Sequence, residues 1–120
     1  MRSWATNNLL GVDEMKIKLF IDDERFPVGD DWVVVRTSQE AIDYVVALGR
    51  IPDYVSFDHD LGGDDTSKVF INWLIDKLID KVYTFPPDFD FYVHSQNPVG
   101  AKHIHETMLS LIQHFGRETN

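Results

Sequence analysis

Apolar residues along the chain gather into four short blocks and three longer periodic stretches, with sharp polar breaks between them. The short blocks are Lys16–Ile21, Trp32–Arg36, Tyr54–Phe57 and Phe89–Val93. They are rich in β-branched and aromatic side chains and too brief for helices, so each reads as a buried strand. The longer stretches repeat at helical spacing. Ala41, Ile42, Val45 and Val46 share one face behind Thr37-Ser38-Gln39-Glu40, a capping box, and Gly49 stops that helix. Val69, Phe70, Trp73, Leu74 and Leu78 mark a second helix, roughly Ser67 to Val82. Ile104, Met108, Leu111, Ile112 and Phe115 mark a third, opened by Asn97-Pro98 as cap and first-turn proline and closed by Gly116.

Strands alternating with helices imply a parallel sheet with right-handed crossovers. The expected fold is α/β, a three-layer α/β/α sandwich around a parallel sheet of about four strands in the order 2-1-3-4. The link between the first two strands carries Pro27 and Gly29, which forbid a long helix there. Residues 1–14 show no sustained period and read as an N-terminal extension, with residues 15–120 forming one α/β domain. No internal repeat or linker divides the chain.

Length and composition narrow the function more than the fold. At 120 residues and 43% hydrophobic, the chain can bury one continuous core without staples. The absence of cysteine excludes disulfides, thiolate metal sites and cysteine nucleophiles. No run approaches the ~18 apolar residues of a membrane span, and residues 1–14 lack the apolar block of a signal peptide. A cytoplasmic protein without a membrane partner is the expectation. The net charge of −9, from 20 acidic against 11 basic residues, disfavours long nucleic acid. A small phosphorylated or nucleotide-like ligand stays compatible, because one local cation or metal reverses the sign of a pocket.

The chemistry gathers where strands end. Leu19-Phe20-Ile21 runs into Asp22-Asp23-Glu24-Arg25, Val55-Ser56-Phe57 into Asp58-His59-Asp60-Leu61-Gly62-Gly63, and Tyr92-Val93 into His94-Ser95-Gln96-Asn97. In open parallel sheets, ligands bind beyond the carboxyl ends of the strands. The 2-1-3-4 order would set these three tips side by side. Asp22, Asp23, Asp58 and Asp60 would then share a cleft, where either some carboxyls hold protons or a cation sits among them. Oxygen ligands suit Mg²⁺ or Mn²⁺, and adding His59 or His94 suits Mn²⁺ or Zn²⁺. Asp58 and Asp60, two residues apart, share a face in extended backbone while His59 points the other way.

His59 and His94 could serve as base and acid, one activating water and the other protonating a leaving oxygen, a pairing suited to a small cyclic phosphodiester. Each could instead be a metal ligand or simply bonded to a neighbouring acid. Arg25 could grip phosphate or neutralise the acids. Ser95 and Asn97 precede a helix N-terminus, where free N–H groups favour anions. Asn97 is also a natural N-cap, and Gly100 would let a ligand approach the backbone. His105-Glu106 lacks the second histidine of a zinc-protease motif, since position 109 is leucine, so His103, His105 and His114 read as surface residues.

The acid pair after strand one, Asp58 after strand three and the hydroxyl Ser95 after strand four resemble the receiver domain of two-component signalling, a flavodoxin-like fold. That resemblance implies Asp22 and Asp23 as metal ligands, Asp58 as phosphate acceptor and Ser95 as switch hydroxyl. The chain departs from it in three ways. It has no fifth strand ending in lysine, its first helix is missing, and His59 and Asp60 crowd the acceptor. A closer resemblance is to the cyclic-phosphate-processing receiver-like family, carried by Asp22-Asp23-x-Arg25, Asp58-His59-Asp60 and His94-Ser95-x-Asn97 over about residues 16–115. Members of that family, found in phages and bacteria, are proposed to open cyclic phosphates, including an ADP-ribose cyclic phosphate.

The expected function is therefore a phosphoesterase opening a small cyclic phosphate or nucleotide-like phosphodiester. Asp58, His59 and His94 are its catalytic candidates, and Arg25, Ser95, Asn97 and Gly100 its substrate-binding candidates. A divalent metal (Mg, Mn or Zn) would sit among Asp22, Asp23, Asp58 and Asp60. The alternatives are a non-enzymatic receiver-like signalling module, or a protein that binds a nucleotide without cleaving it.

Overall fold

The computed structural model describes residues 16–116, and the N-terminal extension expected over 1–14 lies outside them. Four strands, β1 (Lys18–Ile21), β2 (Trp32–Val35), β3 (Tyr54–Phe57) and β4 (Asp90–Val93), pair in parallel in the order β2-β1-β3-β4. The register is continuous across the sheet, with Ile21 level with Val35 on one side and Phe57 on the other, and Phe57 level with Val93. All four strands therefore stop at one level, and their polar tips emerge together. Three helices follow β2, β3 and β4 respectively: α1 (Ser38–Leu48), α2 (Ser67–Ile79) and α3 (Pro98–Phe115). No helix among the described residues is long and apolar enough to cross a membrane.

Strand alternation sends Leu19, Ile21, Val35, Val55 and Phe57 into one core with Ala41 and Val45 of α1, Phe70 and Leu74 of α2, and Ile104 and Met108 of α3. Phe91 meets His105 of α3 from the same side. The alternate residues face the other way, where Trp32 stands 5.7 Å from Phe20 and 5.6 Å from Tyr54 between ring centroids. Among the described residues, then, the three helices supply one layer, and the second helical layer of the expected sandwich is not built by them. The reason is topological. Crossovers β2→β3 and β3→β4 run in one direction across the sheet, and right-handedness places both on the same face. Among the connections between these four strands, only β1→β2 runs the other way, and that link, with Pro27 and Gly29, is a loop.

The helix ends follow local chemistry. Thr37 Oγ1 accepts from the Glu40 N–H at 3.0 Å, but Glu40 Oε1 reaches back to the N–H of Arg36 at 2.7 Å, one residue before the cap. α2 stops at Ile79, three residues short of the expected Val82. There the Lys81 N–H donates to Leu78 O and the Val82 N–H to Lys77 O, at 3.1 and 2.9 Å, closing a Schellman motif. Lys81 takes the left-handed position, φ 61°, that glycine ordinarily fills, so no glycine announces the stop in the sequence.

Asp53 fastens the amino end of the sheet. Its carboxylate accepts from the Ile17 N–H at 2.8 Å and from Arg50 Nη2 at 3.0 Å. Burial alone would raise its pKa, but the Ile17 N–H and Arg50 outweigh that and hold the carboxyl below its ordinary range. A depressed folded-state pKa gives stability that is present above the unfolded value of about 3.9 and is lost as pH falls through the folded value. Asp53→Asn should therefore lower the urea midpoint at pH 7, and the gap from wild type should close as pH drops from about 5 to 2. A gap that stays constant over that range would remove Asp53 from the acid response.

Candidate functional site at the carboxyl edge of the sheet

The backbone ladder carries on past the strand ends. Asp22 N–H donates to Val35 O, Asp58 N–H to Ile21 O and His94 N–H to Phe57 O, at 3.1, 2.9 and 2.9 Å. The three tips are thereby fixed beside one another. Beyond them lies a cleft of about 640 Å³ lined by Asp22, Asp23, Glu24, Arg25, Asp58, Asp60, Gly62, Gly63, Ser95, Gln96 and Asn97.

Asp22 forms its floor, with only 1% of its surface exposed. Oδ1 accepts from the Glu24 and Arg25 backbone N–H groups at 2.8 and 2.9 Å. Oδ2 accepts from Arg25 Nε at 2.9 Å and from His94 Nε2 at 3.0 Å. A carboxylate has about four acceptor sites, and here all are taken. Burial pushes the Asp22 carboxyl up, but the two backbone donors, His94 and the Arg25 charge together hold it below the ordinary carboxylate range. Arg25 also reaches Asp58, Nη2 to Oδ2 at 3.4 Å, so one guanidinium spans both buried acids. Desolvation works against the Arg25 charge, and Asp22 and Asp58 more than restore it.

His94 stands behind Asp22, outside the cleft lining. Strand alternation turns it to the helix-free face, where its ring stacks on Phe20 with centroids 4.4 Å apart. Nδ1 lies 2.7 Å from Ser56 Oγ. Burial pushes the His94 pKa down more strongly than Asp22 raises it, favouring the neutral ring. An ionised Asp22 can only accept, so Nε2 carries the proton and Nδ1 accepts from the Ser56 hydroxyl, an assignment made from the network. His94 therefore meets the cleft only through Asp22.

His59 also turns away from the cleft, while Asp58 and Asp60 line it. Its Nδ1 is 2.9 Å from Asp60 Oδ1, and this bond, with a second from Asn97 Nδ2 to Oδ2 at 3.3 Å, holds Asp60 ionised to lower pH than usual. The β3 tip is fastened to the start of α2. Ser67 Oγ donates to Asp58 O, the Ser67 N–H donates to His59 O at 2.9 Å, and Asp60 bridges to Thr66. Gly62, at φ 90°, leaves room for Asp23; a Cβ there would come within 3.3 Å of Asp23 Oδ2.

Two substrate-binding expectations change. Gly100 does not face a ligand: it is buried under His59, whose ring occupies the space a ligand was expected to use. Asn97 is the N-cap of α3, its Oδ1 accepting from the Gly100 N–H at 3.0 Å and its amide donating to Asp60, so both ends are engaged. Ser95 lines the cleft with its Oγ accepting from the Asn97 N–H at 3.1 Å. His103, His105 and His114 are exposed on α3.

Asp22, Asp58 and His94 each present a ligand atom within 4.8 Å of the others, a cluster that could hold a metal ion. An ion would compete with Arg25 and His94 for Asp22 Oδ2. Asp23 and Asp60, also expected as ligands, stand outside this group.

A protein-family model described as the cyclic-phosphate processing receiver domain matches residues 17–110. The chain belongs to this family. It is thus a receiver-like domain of a family linked to cyclic-phosphate processing, and the match spans β1 through most of α3. Neither a curated protein nor a solved structure matches it significantly. Sequence reasoning had not singled out Ser56, Arg36 or Ser67. Ser56 had a faint signal, as a hydroxyl inside an apolar strand.

The packing of His59 on α3 can be tested at Gly100. A Cβ there would lie 2.5 Å from His59 Cγ and 2.6 Å from Cδ2, so the ring has to shift. Gly100→Ala should rotate the ring out of its bond with Asp60 and destabilise by about 1–3 kcal/mol, despite alanine's better helix propensity. Denaturant midpoints and imidazole ¹⁵N shifts would show it; native midpoints and shifts would contradict this packing.

Proposed function

We propose that the protein is a hydrolase opening a small cyclic phosphate or nucleotide-like phosphodiester. The observation that carries the reading is Arg25, a half-exposed guanidinium held at the centre of an acidic cleft by two buried carboxylates. Fixed in this way, it offers a directed cation to one phosphoryl oxygen in a pocket otherwise hostile to anions. Family membership supports the same chemistry.

In this reading Arg25 grips the phosphate, assisted by the Ser95 hydroxyl. Asp58, in contact with Arg25, orients and deprotonates the attacking water. Water oxygen bonds to phosphorus, the ring P–O bond breaks, and the leaving oxygen takes the proton that Asp58 removed from the water; His59, turned away from the cleft, holds Asp60 in its wall. The product is a ring-opened phosphomonoester. His94 acts through Asp22, keeping that carboxylate aimed at Arg25. A divalent metal bound by Asp22, Asp58 and His94 would supply Lewis-acid polarisation of the phosphate.

A screen of cyclic and linear nucleotide phosphates with and without divalent ions, read by ³¹P NMR, tests the proposal. The expected result is replacement of a cyclic phosphate resonance by a monoester. Arg25→Met should lower kcat/KM by about 10²-fold or more, as loss of a preorganised charge-stabilising group does, and His94→Ala should lower it by a smaller factor, through a loosened Asp22, while circular dichroism stays native in both. Full activity in folded His94→Ala would remove that residue from the mechanism. Position Asp58 at the β3 tip also fits a receiver phosphoacceptor. A stable phosphoryl adduct after treatment with acetyl phosphate, with no turnover of any cyclic phosphate, would replace hydrolysis by signalling.

A further inference from the structure

We infer that Phe26, backed by Arg36, is a stacking platform for the base of a nucleotide-like substrate whose phosphate sits at Arg25. The inference rests on the cyclic-phosphate reading above and adds a substrate class to it. The cleft lining consists of acids, Arg25, small hydroxyl and amide side chains and glycines, with no apolar or aromatic side chain. Such a wall can hold phosphate and sugar hydroxyls, yet it offers a planar base nothing to lie on. A base has to find its surface at the rim.

Phe26 directly follows Arg25 and is 76% exposed. The other exposed aromatic among the large exposed hydrophobics, Tyr92, is on β4 and belongs to the helix-free face. Phe26 is not loose. Its ring centroid lies 4.5 Å from Arg36 Cζ, a cation–π contact. Arg36 Nη1 in turn donates to Asp22 O at 2.9 Å and to Arg25 O at 2.7 Å. The same guanidinium thus supports the aromatic ring and clamps the loop that carries the phosphate grip. Ring and grip-bearing loop are braced by one side chain, and most of the ring stays open to solvent. An exposed aromatic ring next to a cationic phosphate grip is the arrangement by which proteins stack unpaired bases without reading their edges.

The test compares adenosine 2′,3′-cyclic phosphate with glycerol 1,2-cyclic phosphate, which has no base. Loss of one base–aromatic stack corresponds to about 5- to 150-fold in affinity. Phe26→Ala should reduce the preference for the nucleoside compound by about tenfold, the loss falling on KM rather than kcat, and Phe26→Trp should restore it. Equal losses on both compounds, or none on either, would overturn the platform. Calorimetry with adenosine monophosphate and ribose 5-phosphate keeps the two proposals separable where wild type opens neither cyclic phosphate. In that case hydrolysis fails, but tighter binding of the adenosine compound, lost in Phe26→Ala, still supports the platform. Equal affinity for the two ligands would overturn it.

Discussion

The buried carboxylate of Asp22 is the constraint on which the site depends. Burying an ionised carboxylate costs several kcal/mol unless its oxygens are fully hydrogen-bonded. Here four donors converge on it, from the loop backbone, the Arg25 side chain and His94. Each donor is useful elsewhere. The two backbone N–H groups wrap the loop after β1 around the carboxylate. Arg25 is thereby delivered to Asp58, and His94 ties the end of β4 to the end of β1 across the intervening strand. Loss of any one donor leaves a buried charge short of a partner, a penalty larger than the net worth of an ordinary hydrogen bond. The tips of β1, β3 and β4 are consequently one mechanical unit, and the cleft above them is preorganised rather than assembled around a ligand.

That arrangement answers the electrostatic question raised by four neighbouring aspartates. The compensation comes from the protein itself, through a guanidinium between Asp22 and Asp58, and Asp60 is settled separately by His59 and Asn97. Arg25 stays charged at any physiological pH, so the cleft keeps a fixed positive point in an acidic frame. The helix-free face contributes as well. Phe20 gives the His94 ring a flat surface, and Ser56 donates to Nδ1 of the tautomer that Asp22 fixes, so side chains of the sheet's second face hold the ring at its edge.

Much of this was legible in the sequence because it was local. Apolar blocks that stop abruptly on acids located the strand tips, and Thr37, Asn97 and Gly49 declared their helix ends through cap chemistry. The order of elements constrained the sheet, since right-handed crossovers leave few alternatives. What could not be read depends on distant pairs. Nothing near Ser56 announces a histidine 38 residues away, and Arg36 reads as the last residue of a strand until its guanidinium is seen on Asp22 and Arg25 carbonyls. Gly100 looked like room for a ligand because glycine spacing does not reveal what fills the space, and here it is His59. The end of α2 was overrun for the opposite reason, a lysine doing locally what glycine usually signals.

The acidic frame also bears on product release in the proposed reaction. A cyclic phosphodiester carries one negative charge, which a single guanidinium can match. Opening the ring creates a monoester with a second ionisation near pH 6, so the product approaches two negative charges at neutral pH. Without a bound metal, Arg25 is the single cationic side chain in the cleft lining, and Asp23, Glu24, Asp58 and Asp60 surround the added charge. Repulsion between like charges at this range weakens product binding relative to substrate. In the proposed reaction, the surplus of carboxylates would therefore favour the singly charged ester over the doubly charged product and help the product leave.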